Sequence, residues 1–260
     1  MLEDDFTYVL RKALLGHALT PATVAPLAGL MEAEVLDFLN GSFSQATARN
    51  LAASLGLKAE AFASHDFYQP KDVEVPGIYR LILPFSGDHV NAWALGNADS
   101  LVLFDAGNDA ADLLRSLQSQ CARLPDQAFI THSHRDHVGG IADLRAAGVP
   151  LHGPGDCSVS VMHPSECTVC GSLSIRACDL SGHAMPALGY HVDGFPIPVL
   201  VTGDALFAGS IGGCPTPARY QLALSRLREV LAPLPDETLL LPGHGLATTL
   251  GEERVANPFL

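Results

Sequence analysis

Three histidines and an aspartate fall within six residues in Thr131-His132-Ser133-His134-Arg135-Asp136-His137-Val138-Gly139-Gly140, directly after the apolar run Ala128-Phe129-Ile130. Imidazole nitrogen and carboxylate oxygen are ligands for Zn(II), Fe(II) or Mn(II). In extended backbone, residues two apart point the same way, so His132 and His134 can grip one ion. Asp136 and His137 follow where the chain turns toward a helix and can face a second ion. The bland alternative is a turn that is polar by accident. Core strands seldom end in such a cluster, so we set that alternative aside.

Four further positions carry side chains of the same chemistry. Asp105 lies in Leu103-Phe104-Asp105-Ala106-Gly107, after an apolar run. His183 lies in Ser181-Gly182-His183, Asp204 in Val201-Thr202-Gly203-Asp204-Ala205-Leu206-Phe207, and His244 in Leu241-Pro242-Gly243-His244-Gly245. Taken alone, a His183 or a His244 is more often structural. Together and in this order, with His132-x-His134-x-Asp136-His137, they resemble the metallo-β-lactamase superfamily over roughly residues 75–260. That resemblance implies an αββα sandwich and a centre of two divalent metal ions, with Zn first and Fe or Mn as alternatives. His132, His134 and His183 would hold one ion and Asp136, His137 and His244 the other. Asp204 would bridge them, and Asp105 would support the ligands without being one. Two cations lower the pKa of a shared water toward about 7, supplying a bridging hydroxide, and one of them stabilises an oxyanion. Asp136 is then also the candidate catalytic residue, orienting the nucleophile. No serine or cysteine nucleophile is required.

Within the superfamily, two stretches are similar to the compact glyoxalase II-like branch, the hydroxyacylglutathione hydrolases. One is Gly203-Asp204-Ala205-Leu206-Phe207-Ala208-Gly209-Ser210-Ile211-Gly212, and the other is Pro242-Gly243-His244-Gly245 with the tail Asn257-Pro258-Phe259-Leu260. The branch implies hydrolysis of S-acylglutathione thioesters such as S-lactoylglutathione. The chain departs from it in having Gly213-Cys214 where relatives carry an arginine after Ser-Ile-Gly. It also reads Leu180-Ser181-Gly182-His183-Ala184-Met185-Pro186 where they read Thr-Pro-Gly-His-Thr-Pro-Gly. Both departures leave the ligands and alter the pocket wall. No separate C-terminal helical domain with basic residues for glutathione is expected from residues 75–260. The alternatives within the superfamily are lactone or β-lactam hydrolysis and mononuclear iron persulfide dioxygenase chemistry.

The elements that must position these residues are legible as periodicity. Residues 69–260 form the expected catalytic domain. Apolar runs at Ile78–Leu83, Leu101–Phe104 and Ala128–Ile130 predict strands, and residues 109–119 and 140–147 predict helices, an alternation that suggests layered α/β architecture. Residues 1–68 predict a small all-α domain. Phe6, Val9, Leu10 and Leu14 recur at helical spacing, as do Val35, Phe38 and Leu39. Thr20-Pro21 reads as an N-cap followed by a first-turn proline, and Gly16, Gly29, Gly41 and Gly56 mark helix ends.

Residues 18–62 resemble the helix-turn-helix of phage-repressor-like proteins, which would make a ligand-sensing DNA-binding regulator the alternative from another functional class. The helix expected to enter DNA, about Glu32 to Leu39, holds Glu32, Glu34 and Asp37 and no Lys or Arg. Residues 1–69 carry four basic groups against eight acidic ones. DNA affinity comes largely from phosphate neutralisation, so this composition argues against nucleic-acid binding. Packing against the catalytic domain, or a homodimer interface, is expected instead. Leu36 and Phe38 are expected to pack within this domain or against a neighbour.

The whole chain carries 28 acidic and 15 basic residues, a net charge of -13, which opposes nuclease and membrane-surface functions. With 48% hydrophobic and 17% charged residues, it can bury a sizeable core. No apolar stretch is long enough for a transmembrane helix, and the start MLEDDFTYVL is acidic, unlike a signal peptide. A cytoplasmic protein acting on a small-molecule substrate is expected, with its cysteines reduced. Cys157, His163, Cys167 and Cys170 form a candidate additional metal or redox site, because Cys-x-x-Cys with a nearby His and Cys can make a tetrahedral zinc site. The competing reading is buried, idle thiols. Cys121, Cys178 and Cys214 read as core or pocket-wall residues.

Overall fold

In a computed structural model, residues 2–71, 73–96 and 99–260 are described. Five helices come first: α1 (Phe6–Gly16), α2 (Pro21–Leu27), α3 (Glu32–Leu39), α4 (Gln45–Leu55) and α5 (Ala59–Ser64), closed by a 3-10 turn at His65–Phe67. Then follow β1 (Ile78–Phe85), β2 (Asp88–Gly96), β3 (Leu101–Phe104), α6 (Ala110–Gln120), β4 (Gln127–Phe129), α7 (Arg135–Val138), α8 (Ile141–Ala146), β5 (Leu151–Gly153) and β6 (Ser160–Val161). The second half holds β7 (Cys167–Cys170), β8 (Leu173–Asp179), β9 (Leu188–Asp193), β10 (Val199–Gly203), β11 (Leu206–Phe207) and β12 (Ser210–Ile211). It ends with α9 (Pro217–Leu231), β13 (Leu239–Pro242), β14 (Thr248–Thr249) and α10 (Leu250–Ala256).

Two sheets form, ordered β1-β2-β3-β4-β5-β6 and β14-β13-β10-β9-β8-β7, with β11 and β12 as a separate hairpin. Strand alternation builds the layers, because successive side chains leave opposite faces. Val102 and Phe104 of β3 meet Val199 and Val201 of β10 and Leu239 and Leu241 of β13 in the core between the sheets. The intervening Leu101 and Leu103 face Leu113, Leu117 and Leu144 on α6 and α8. On the other side, Leu200 and Leu240 face Leu224 and Leu227 of α9. The result is the αββα sandwich expected from the sequence.

The local signals for helices 1–5 act as their chemistry dictates. Thr20 caps α2 ahead of Pro21, and Gly56 closes α4 with φ 64°, a conformation glycine adopts without a Cβ penalty. These helices share one apolar core with α9, α10 and the outer face of the second sheet, through residues such as Phe6, Leu10, Phe38, Leu51 and Phe62. Gly16 permits the docking, since a Cβ there would stand 2.3 Å from Cγ of Tyr220 on α9. Phe38 is buried as expected, whereas Leu36 is 42% exposed on the opposite side of α3. A two-residue step turns a helical side chain about 200° around the axis, so both cannot face one core.

Candidate metal centre

The site residues arise at one edge of the sandwich, most of them beyond the end of a strand. Asp105 follows β3, His132 and His134 follow β4, His183 follows β8, Asp204 follows β10 and His244 follows β13, while Asp136 and His137 lie on α7. Two groups result whose candidate ligand atoms lie within 4.8 Å of one another: His132, His134, His183 and Asp204, and Asp136, His137 and His244. In the first, His183 Nε2 is 3.1 Å from His134 Nδ1 and 3.5 Å from Asp204 Oδ2. In the second, His244 Nε2 is 3.2 Å from Asp136 Oδ2. Asp204 reaches across, its Oδ1 3.4 Å from His137 Nε2 and its Oδ2 3.6 Å from His244 Nε2. It is thus placed to touch ions in both groups.

Four of the imidazoles are oriented by the opposite ring nitrogen. Backbone carbonyls can only accept, so His183 Nδ1–H donates to Gly213 C=O at 2.7 Å and His244 Nδ1–H to His89 C=O at 2.9 Å. His137 Nδ1–H donates to Asp105 Oδ2 at 2.8 Å. The Thr131 hydroxyl donates to Asp105 and accepts from His132 Nδ1–H at 3.0 Å. Each arrangement leaves Nε2 directed into the site, the tautomer a metal ion needs. Asp105 also accepts from Thr131 N–H at 2.8 Å and holds φ 63°, a left-handed conformation in which Asp is among the tolerated residues.

The residues fit divalent cations. His132 Nε2, His137 Nε2 and Asp204 Oδ1 are buried and lack a hydrogen-bond partner among the described residues. Such an atom costs about 1–3 kcal/mol, and three converging on one space are satisfied together by ions. A Cβ at Gly243 would lie 2.1 Å from Asp204 Oδ1 and 2.8 Å from His137 Cε1, so that backbone forms a floor only glycine can make.

Electrostatics divide the two groups. Burial, and then the charge of His137, push His132 down to about 2, and burial also lowers His183. Both are therefore neutral at pH 7. Burial opposes protonation of His137 too, but the Asp204 and Asp105 carboxylates outweigh it and raise it well above the usual range. At His244, burial is likewise overcome, by the Asp136 hydrogen bond and the charges of Asp204 and Glu3, raising it to about 9. Asp204 and Asp136 are held below the usual carboxylate range despite burial, Asp204 chiefly by His137 and Asp136 by its hydrogen bond with His244.

Several supporting groups have no signature in the sequence. Asn91 on β2 clamps the His244 loop by donating to Pro242 C=O and Gly245 C=O, while Trp93 donates to Pro242 C=O at 2.8 Å. Glu253 is fully buried and accepts from Tyr68 O–H, Gly209 N–H and the Asn257 amide, fixing the β11–β12 hairpin that follows Asp204. Isolated polar residues of this kind become recognisable only once their partners are placed.

The candidate cysteine site is not assembled. No group of three or more potential ligands among the described residues includes Cys157, His163, Cys167 or Cys170. Cys157 is buried in the core beneath α8, Cys170 in the core between the sheets, and Cys167 and His163 are exposed. The reason is local. Cys167 and Cys170 lie on one strand, where a three-residue step turns their side chains to opposite faces, whereas a zinc knuckle needs a turn there. All six cysteines are free.

Residues 86–161 match the family model described as Metallo-beta-lactamase superfamily. A crystal structure of BLEG-1 B3 metallo-beta-lactamase superposes with a TM-score of 0.58 at 25% identity, covering 70% of this chain and 99% of that one. TTHA1623, solved in a di-iron-bound form, superposes with a TM-score of 0.52 at 25% identity, covering 74% of this chain and all of that one (100%). In fold and in ligand order the chain is thus similar to the metallo-β-lactamase superfamily. Hydroxyacylglutathione hydrolases of Yersinia pestis (strain Pestoides F) and Yersinia enterocolitica serotype O:8 are each 32% identical over 162 residues, 58% of this chain and 60% of theirs. The chain thus matches somewhat less than two thirds of the length of those relatives. No helix among the described residues is long and apolar enough to cross a membrane.

Proposed function

We propose that the protein is a binuclear metal-dependent hydrolase of thioesters, S-acylglutathione-like in chemistry, with residues 69–260 as its catalytic domain and residues 1–68 as a helical domain. The observation that carries the reading is Asp204, whose two oxygens each lie within 3.6 Å of a histidine of the second ligand group while Oδ2 also lies 3.5 Å from His183 of the first. His132, His134 and His183 would hold one ion and Asp136, His137 and His244 the other, with Asp204 common to both. When bound, two divalent cations supply a water of lowered pKa at neutral pH and Lewis-acid stabilisation of a developing oxyanion. The chain's own residues do the positioning. Asp105 and the carbonyls of Gly213 and His89 fix the imidazole tautomers, and Asp136, whose Oδ2 lies 3.2 Å from His244 Nε2, can orient the attacking water. A mononuclear centre would leave the Asp136, His137 and His244 group without a role.

The thioester class is supported by the similarity to hydroxyacylglutathione hydrolases. A lactone or β-lactam substrate is the second reading, favoured by the superposition on BLEG-1 B3 metallo-beta-lactamase. The test is a panel of S-lactoylglutathione, simpler thioesters, lactones and a β-lactam, offered to the zinc-, iron- and manganese-loaded protein. Highest kcat/KM on the thioesters supports the proposal, and turnover confined to lactones or β-lactams replaces it with the second reading. A small-molecule substrate, no nucleic-acid partner and a cytoplasmic setting belong to the same proposal.

A further inference from the structure

The N-terminal region reaches the surroundings of the metal centre at two points, one on α1 and one just before it. Lys12 on α1 is mostly buried, pairs with Asp4 and donates to Ile211 C=O at 2.7 Å. Its ammonium also stands 5.3 Å from the centre of the Phe207 ring, which meets the His244 ring edge-on at 5.9 Å. Ile211 begins the three-residue segment, 211–213, that lies against His183. Gly212 packs so tightly that an added Cβ would be 2.9 Å from His183 Cγ, and Gly213 C=O is the acceptor that orients His183. The second point is Glu3. Its Cβ lies 3.3 Å from where a Gly245 Cβ would be, and its Oε1 is 3.9 Å from His244 Nδ1.

We propose that the N-terminal helical region completes the metal centre, with Lys12 a positioning residue for His183 and Glu3 a positioning residue for His244. The inference rests on the metal-centre reading above. A lysine ammonium on a backbone carbonyl makes a charge-assisted hydrogen bond, which fixes the 211–213 segment more firmly than water would. Glu3 adds negative charge beside the ring N–H of His244, favouring the orientation in which Nε2 faces the ion. One helical region therefore braces one histidine in each ligand group.

The bland reading is that Lys12 and Glu3 merely glue the helices in place. Lys58 provides the control, since its ammonium donates to Arg254 C=O on α10, a docking contact that involves no ligand segment. The experiment is a zinc titration of the full chain against a chromophoric chelator, with a melting curve for each variant. Outer partners of metal ligands typically change affinity 10–100-fold. Lys12→Met and Glu3→Gln are each expected to weaken one of two zinc equivalents by about tenfold. Lys12→Arg is expected to restore the affinity, and Lys58→Met to lower the melting temperature with both affinities intact. Affinities within about twofold of wild type for Glu3→Gln and Lys12→Met overturn the proposal, as does an equal loss in Lys58→Met. Zinc-free behaviour of the wild-type protein would overturn the proposed function itself, a distinguishable result.

Discussion

Asp105→Asn isolates the contribution of one carboxylate to a histidine it does not share an ion with. Asp105 accepts from Thr131 N–H at 2.8 Å, from the Thr131 hydroxyl at 2.9 Å, and from His137 Nδ1–H at 2.8 Å. Asparagine retains one acceptor oxygen and tolerates the left-handed backbone, so the turn itself should survive. The amide NH2 would then face His137 Nδ1–H, donor against donor. His137 escapes by moving its proton to Nε2, where it blocks the ligand position. Restoring the ligating tautomer forfeits a hydrogen bond to a charged group, about 1.5–3 kcal/mol. At about 1.4 kcal/mol per tenfold, that is roughly a 10–100-fold loss of affinity for the ion held by Asp136, His137 and His244. The ion held by His132, His134 and His183 should be nearly unaffected, because Thr131 can still donate to the remaining oxygen. The assay is a two-site competition titration with a chelator of known affinity. Two affinities both within about twofold of wild type would refute the reasoning.

Asp204→Ala should abolish hydrolysis while circular dichroism and gel filtration stay native-like, since the carboxylate reaches both ligand groups; near-normal turnover by a metal-loaded variant would contradict its bridging role. Metal binding should release protons unequally. His137 is raised and His244 is raised to about 9, so below about 9 His244 carries a proton that a cation must displace, and affinity at that group should rise as pH approaches about 9. His132 and His183 are lowered and compete with no proton at pH 7, so calorimetry in buffers of different ionisation enthalpy should find proton release with one equivalent only. Equal release with both would overturn that assignment. Anisotropy titration with pooled genomic fragments at about 0.15 M salt should detect no selective binding, because α3 presents Glu32, Glu34 and Asp37 without a basic residue. Competitor-resistant, submicromolar binding would promote the regulator reading.

The candidate ligands could be found in the sequence because their chemistry resides in side chains and their order along the chain is distinctive. The sandwich was legible through the resemblance those ligands carry, together with the apolar runs that form β1, β3 and β4. What could not be read is whatever depends on backbone or on distant partners. Gly213 and His89 act through carbonyls that every residue possesses, and Lys12 meets Ile211 across 199 positions of chain. Cys-x-x-Cys misleads because its meaning depends on whether the segment turns, and residues 167–170 form a straight strand. The helix spacing around Leu36 and Phe38 predicts a helix correctly but not which face docks.

The central claim is a centre that holds two ions through a shared carboxylate. Elemental analysis of the protein purified in its active state, read alongside thioester turnover as metal is titrated back into the stripped chain, tests it most directly. The account predicts two equivalents per chain, with activity complete only as the second is bound. Full activity at one equivalent, or none bound at all, would contradict it.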